Sequence, residues 1–133
     1  MDIEANVDRA RGWFDGPSRG THWVCVDGED TIGWACTCLP ARDTNVGPHV
    51  AELVACYALE KAWGRGAGFQ LWDAARHALM DQGAQGVVLW VLEANERAIR
   101  FYERQGFRGD GHAKTDTLQP GVDLKEIRMR LDL

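Results

Sequence analysis

The stretch that most constrains the fold is residues 50–59, the longest strand candidate in the chain. Its sequence, Val-Ala-Glu-Leu-Val-Ala-Cys-Tyr-Ala-Leu, is apolar at both alternating sets of positions apart from Glu52. Such a strand is typical of the centre of a sheet that is covered on both sides. We expect one domain built around this strand, because 133 residues are enough for one core and too few for two.

Helical and strand-like patterns alternate along the rest of the chain and predict a mixed α/β (α+β) fold. Strands are predicted at residues 21–26, 31–39, 50–59, 87–92, 107–111 and 122–131, with a hairpin turn at 27–30 and a loop between the last two strands. Helices are predicted at residues 7–14, from about 69 to 82, and at 95–104.

Composition and charge exclude several classes of function. The formal net charge of −5 disfavours tight nucleic-acid binding, which needs clustered lysine and arginine. No apolar run is long enough to span a bilayer, and the N-terminus lacks the layout of a signal peptide, so the sequence predicts a cytoplasmic protein with no membrane partner. An acidic surface favours a cationic binding partner.

The four cysteines predict buried, reduced thiols rather than a metal site. Cys25, Cys36, Cys38 and Cys56 all lie in strand-like runs, and none forms a CxxC pair. Cys36 and Cys38 share one strand face, but there is no second pair or nearby histidine to complete a ligand set. No metal is therefore predicted.

A glycine loop follows the central strand and precedes a helix. The loop reads Gly64-Arg65-Gly66-Ala67-Gly68. Glycines let the backbone approach an anion, and the free N–H groups of the first helical turn point at it, so this order of elements predicts phosphate binding. The loop lacks the Gly-Lys-Ser/Thr of a nucleotide P-loop, and its spacing also fails the dinucleotide fingerprint. A glycine-rich turn without a ligand remains the alternative.

A second motif lies at residues 95–107, where Asn-x-x-Ala-x-x-Phe-Tyr-x-x-x-Gly-Phe follows the strand at 87–92. This pattern resembles the signature of the GNAT superfamily, the Gcn5-related N-acetyltransferases. The glycine loop resembles the pyrophosphate loop of that family, Arg/Gln-x-x-Gly-x-Gly/Ala, except that Trp63 replaces the first Arg or Gln. The two motifs stand in the family's order, and the resemblance covers roughly residues 21–131.

The resemblance implies a mixed central sheet that splays between its fourth and fifth strands, with flanking helices and acetyl-CoA as the acyl donor. The pantetheine arm is expected to pair with the backbone of the fourth strand, and the thioester to lie between that strand and residues 91–94. The cofactor-binding residues implied are Cys56, Tyr57, Ala58, Leu59, Gly64, Arg65, Gly66, Ala67, Gly68, Asn95 and Tyr102.

Two residues of the second motif have implied roles and structural alternatives. Tyr102 matches the family's tyrosine that protonates the departing thiolate, and a phenol is protonated at neutral pH and ready to donate. Its alternative is a core tyrosine. Asn95 is implied to hydrogen-bond the cofactor arm, but an asparagine at a helix start also serves as an N-cap.

Glu52 is the candidate general base, since its spacing to the glycine loop resembles that of the catalytic glutamate in the histone-acetylating members. A charge inside an apolar strand is costly unless water or a partner reaches it, and an alkylammonium must lose a proton before it attacks. The alternative is a glutamate that orders a water molecule or binds an arginine such as Arg42. His22 and His49 are further candidates for the base.

The predicted function is transfer of an acetyl group from acetyl-CoA to an amine, on a small molecule or a protein, by direct attack. The alternative is a non-catalytic acyl-CoA-binding sensor or regulatory module. About twenty residues precede the first strand predicted here, fewer than the strand and two helices usual in the family, so the first strand and one helix are expected to be missing or the acceptor site to be built differently. A missing strand leaves a sheet edge open, which predicts a homodimer.

Overall fold

The computed structural model describes residues 2–6, 20–60 and 64–133, with backbone alone for 2–6 and for residue 118. These residues form one seven-stranded mixed sheet and two α-helices. The strands are β1 (Asp2–Asn6), β2 (Thr21–Asp27), β3 (Asp30–Cys38), β4 (Val50–Ala58), β5 (Gly86–Leu92), β6 (Arg108–Gln119) and β7 (Val122–Asp132). The helices are α1 (Ala67–Asp81) and α2 (Glu96–Arg104), and a 3₁₀ turn spans Thr44–Val46.

The strands lie in the order β1-β2-β3-β4-β5-β7-β6, so β4 is the middle strand of the sheet. It runs antiparallel to β3 and parallel to β5, and all other pairs are antiparallel. The central position predicted for this strand from its two apolar faces is confirmed, and its single charged residue, Glu52, is buried.

The main core lies between one face of the sheet and the helices. From the sheet it contains Ala51, Leu53, Leu89 and Val91, together with residues of β2, β3 and β7. Helix α1 adds the apolar stripe that its 3.6-residue period predicts, namely Leu71, Trp72, Ala75 and Leu79, while Ala78 packs at its margin. Because side chains alternate along a strand, Glu52, Val88 and Trp90 point to the opposite face of the sheet.

A missing first strand, one of the two alternatives for the N-terminal region, is ruled out. Residues 2–6 form β1, which pairs antiparallel with β2 along its whole length. Its sequence, Asp-Ile-Glu-Ala-Asn, contains a single β-branched residue, so it carries little strand signal and is formed by pairing with a stronger neighbour. With β1 on the edge of β2, the open edge that suggested a homodimer is covered, and the dimer stays a prediction without that argument. The helix predicted at residues 7–14 lies outside the described residues.

The prediction of a loop between the last two strands is also wrong. Strand β6 continues to Gln119 and turns at residues 120–121 into β7, so nearly the whole segment is a long hairpin. Its polar, alternating sequence resembles a loop in composition, but the pairing with β7 provides the hydrogen bonds that make it a strand. The hairpin turn predicted between β2 and β3 is confirmed, with Gly28 at φ 64°.

Candidate active site

The central feature of the site is a split between the two parallel strands. Strands β4 and β5 are paired at three positions, which end at Glu52 opposite Val88. Beyond that point β4 continues to Ala58 and β5 to Leu92 with no register between them. The backbone of β4 after Glu52 therefore offers hydrogen-bonding groups on the side that β5 has left, as an exposed sheet edge does.

A β-bulge on β4 lies next to this split. Cys36 of β3 pairs with Ala55, and the following Thr37 pairs with Leu53, which leaves Val54 as the extra residue on β4. A bulge leaves one residue outside the ladder and redirects the side chains that follow it. As a result Leu53 and Cys56, three residues apart, both contact the helix-side core.

The glycine loop comes after β4 in the chain and begins α1. Gly64 and Gly66 have φ angles of 77° and 83°, which only glycine adopts at low cost. Gly66 is the N-cap of α1 and provides no side-chain cap, and the first helical bond is that from Gln70 N to Gly66 O at 2.9 Å. The N–H groups of the first turn are thus left for an external acceptor.

Two contacts hold this loop in place. The guanidinium of Arg65 pairs with the carboxylate of Asp27 on the β2–β3 hairpin, Nη2 to Oδ2 at 3.0 Å, with both side chains about half exposed. A Cβ atom added at Gly68 would lie 3.3 Å from the ring of Phe101, so glycine at this position lets α1 and α2 approach closely. The backbone cradle is formed by residues 64–68, and Trp63, the departure from the family pattern, lies outside the described residues.

Tyr102 is buried on the inner face of α2, between Phe101 and Phe107, with ring centroids 5.4 and 5.9 Å away. Burial raises the pKa of Tyr102, and the neighbouring Cys56 thiol adds to the effect. The phenol is therefore held in its protonated form. Cys56 belongs to the part of β4 that lies after Glu52 and lines the split. Because Tyr102 is close to Cys56, it faces the segment to which the cofactor arm is predicted to bind. Burial also raises the pKa of the Cys56 thiol, to about 12.

Asn95 is the N-cap of α2, which is the alternative role that the sequence suggested for it. Its Oδ1 accepts a hydrogen bond from Ala98 N at 3.2 Å. The side-chain amide Nδ2 takes no part in this cap and remains a donor. Asn95 lies just past the end of β5, on the same side of the split as residues 91–94.

Glu52 is held by Arg42, which is the partner that the sequence suggested as an alternative. Oε1 accepts from the Arg42 backbone N and from Nε, both at 3.0 Å, and Oε2 accepts from Nη2 at 2.6 Å. The glutamate side chain is 2% exposed and that of the arginine 53%. Since a carboxylate oxygen has two acceptor positions, Oε2 keeps one for a further donor. The buried charge is thus compensated at the point where the strands separate.

The two histidine candidates have structural contacts of their own. His22 is buried, accepts from Trp34 Nε1 at 3.0 Å through Nδ1, and stacks on the Trp34 ring. Burial lowers the pKa of His22. His49 is exposed in the turn before β4, where its backbone carbonyl accepts from Gln85 N at 2.7 Å.

A polar cluster on the face of the sheet opposite the helices was missed by the sequence reasoning. Its centre is Arg128, a buried residue of β7 that bonds Asp110 Oδ2 at 2.5 Å, Asn45 Oδ1 at 2.8 Å and Asp43 Oδ2 at 3.3 Å. Asp43 also accepts from Trp90 Nε1 at 2.8 Å. Burial raises the pKa of Asp110, but the His112 N–H and the Arg128 guanidinium outweigh that effect and hold the pKa below its usual value.

The cluster is assembled by a second bulge. Strand β6 has two residues more than β7 between the pairs Gly109–Met129 and Ala113–Ile127, and the extra residues include Asp110 and His112. Both side chains contact Arg128, His112 through Nδ1 at 3.0 Å from Nη2. The signal in the sequence was an arginine between Ile127 and Met129, a charge within an apolar strand like Glu52 in β4.

Within the described ranges, no group of three or more histidine, cysteine, aspartate or glutamate side chains is arranged to hold a metal ion. None of the four cysteines forms a disulfide. Over the same ranges, no helix is long and apolar enough to cross a bilayer.

The split strands, the glycine-loop helix and the buried tyrosine define an acetyltransferase fold of the GNAT type. The profile of the Acetyltransferase (GNAT) family matches residues 2–107. This chain belongs to that family.

Relatives with curated names are acetyltransferases. A mycothiol acetyltransferase of Rhodococcus erythropolis is 32% identical over 106 residues, which cover 78% of this chain and 35% of the relative. A probable N-acetyltransferase of Mycobacterium tuberculosis is 28% identical over 114 residues, covering 82% of this chain and 59% of the relative. The chain thus spans between about a third and three fifths of the length of these relatives.

Solved structures show the same fold at lower identity. An IAA acetyltransferase from Bacillus cereus is 20% identical with a TM-score of 0.77, covering 99% of both chains. A Bacillus subtilis acetyltransferase in complex with CoA is 19% identical with a TM-score of 0.73, covering 98% of this chain and 97% of that one. The predicted GNAT-type fold and the family resemblance are confirmed.

Proposed function

We propose that this protein is an N-acetyltransferase that binds acetyl-CoA in the split between β4 and β5 and transfers the acetyl group directly to an amine. The observation that carries the proposal is the split itself, which begins beyond the pair Glu52–Val88 and leads to the glycine loop. Family membership and the names of the relatives support it. Four cysteines without a disulfide favour a reducing compartment, and we propose the cytoplasm.

The cofactor is proposed to bind along β4 and the glycine loop. The pantetheine arm pairs with the backbone of Cys56, Tyr57, Ala58 and Leu59, as an added strand would. The pyrophosphate accepts from the N–H groups at the start of α1, where the helix dipole also favours negative charge. Arg65 adds a cation beside the loop, and the Nδ2 of Asn95, which takes no part in the helix cap, is proposed to donate to the arm from the β5 side.

The proposed chemistry needs one acid and one base. The amine nitrogen bonds to the thioester carbonyl carbon, the bond from that carbon to sulfur breaks, and the amide and coenzyme A leave. Tyr102 donates its proton to the departing thiolate and is reprotonated by the second proton that the nitrogen loses as the amide forms. Glu52, through a water molecule at the open position of Oε2, takes the proton that the ammonium group must lose before attack.

The assay that tests this function is thiol release from acetyl-CoA with a panel of alkylamines, run beside a calorimetric titration with coenzyme A. We expect binding and amine-dependent thiol release. Binding without turnover on any amine would favour the sensor or regulatory module, and absence of coenzyme A binding would exclude both.

A further inference from the structure

The indole of Trp90 lies beside the split, on the face of the sheet opposite the helices. Trp90 is two residues beyond Val88, the last β5 residue that pairs with β4, and it shares a sheet face with Glu52. Its neighbours Leu89 and Val91 point into the helix-side core instead. A group that approaches the thioester from the face opposite the helices therefore passes the Trp90 ring.

A carboxylate is fixed at the edge of this ring. Asp43, in the loop between β3 and β4, accepts from Trp90 Nε1 at 2.8 Å and from Arg128 Nη1 at 3.3 Å, both through Oδ2. In the described part of the chain, Oδ1 of Asp43 has no hydrogen-bond or ion-pair partner. The side chain is 28% exposed, so this second oxygen is a positioned acceptor within reach of solvent.

The ring already holds a cation of the chain itself. The ammonium of Lys114, on β6, lies 4.3 Å from the centroid of the Trp90 ring, a cation–π distance. Apart from His112, the charged groups of the cluster are two carboxylates, Asp43 and Asp110, and two cations, Arg128 and Lys114. Arg128 is buried and bonded to both carboxylates, whereas Lys114 is exposed. Lys114 is therefore the cation that can be exchanged.

We propose that the Trp90 ring and the Asp43 carboxylate form the subsite for the ammonium group of the acceptor, and that Lys114 occupies this subsite until an acceptor displaces it. This inference rests on the proposed function and names its substrate class, a primary alkylammonium. Departure of Lys114 makes the cluster one unit more negative, which favours a cationic replacement. An acceptor with a carboxylate beside its amine is disfavoured, because Asp43 and Asp110 face it.

The first test is Lys114→Gln, assayed for its KM with n-butylamine in the thiol-release assay. Removal of the internal competitor is expected to lower the amine KM about 3-fold, the range of an exposed cation–π contact. Lys125→Gln is the matched control, since Lys125 is also exposed but pairs with Glu93 in the turn after β5, at 3.1 Å, and its KM is expected to match the wild type. A KM that is unchanged or raised in Lys114→Gln would overturn the inference.

The second test measures binding without turnover. Butyltrimethylammonium cannot be acetylated, and it is expected to shift the NMR signal of the Trp90 indole N–H, assigned with Trp90→Phe, and to inhibit competitively against n-butylamine. Asp43→Asn keeps the shape of the side chain and is expected to weaken both effects. If coenzyme A binds and amines turn over while this probe leaves the Trp90 signal unchanged, the subsite is wrong and the acetyltransferase proposal stands. If the probe binds but coenzyme A does not, the proposed function fails.

Discussion

Replacing Tyr102 by phenylalanine is expected to lower kcat about 100-fold or more, the range of general acid catalysis, with the affinity for coenzyme A unchanged. The substitution removes only the hydroxyl. Because burial raises the pKa of Tyr102, the phenol is protonated across the neutral range and can donate to the thiolate. The ring contacts with Phe101 and Phe107 persist in the variant, so the fold is retained.

The other tyrosine of the chain provides the control. Tyr57 lies on β4, is 59% exposed and is proposed to contact the cofactor through its backbone, which Tyr57→Phe keeps. Steady-state thiol release and calorimetric coenzyme A binding are measured for both variants. A Tyr102→Phe enzyme with wild-type kcat would remove the acid role and leave Tyr102 as a core residue.

Replacing Glu52 by glutamine is expected to lower the rate most at low pH, by about 100-fold if Glu52 is the base. Few amine molecules are neutral there, and the enzyme must remove the proton itself. As pH rises towards the pKa of the amine, about 10 for an alkylamine like lysine, the rate difference from the wild type is expected to narrow. The measurement is kcat/KM against pH for both proteins.

Loss of the contact with Arg42 needs a separate control, because Glu52 is bonded to it through both oxygens. Arg42→Gln removes the guanidinium and keeps the carboxylate. If Glu52 acts as the base, this variant stays faster than Glu52→Gln at low pH, even where its rate is below that of the wild type. Equal, pH-independent losses in the two variants would show that the pair only positions the loop, and an unchanged profile in Glu52→Gln would remove Glu52 as base.

The features that the sequence predicts well are local ones. The glycine loop, the start of α2 at Asn95 and the buried Tyr102 each depend on residues a few positions apart, where turn geometry and helical periodicity act directly. The sequence also predicts that Glu52 has a partner, because a charge inside an apolar strand is costly without one. That partner, Arg42, lies only ten residues away on the loop that leads into β4.

The features that the sequence did not predict depend on register and long-range contacts. Strand β1 carries little strand signal and forms by pairing with β2. The contact between Arg128 and Asp43 joins residues 85 positions apart, and it requires both the bulge in β6 and the fold of the β3–β4 loop. No local sequence pattern predicts that contact, so the cluster around Arg128 could not be predicted from the sequence alone.

The central claim is that coenzyme A binds in the split as an added strand on β4. Amide hydrogen exchange with and without coenzyme A tests it most directly. We expect slower exchange at amides of residues 53–59 that face away from β3, and at residues 67–69 in the first turn of α1. Binding with protection elsewhere, or no binding at all, would contradict the account.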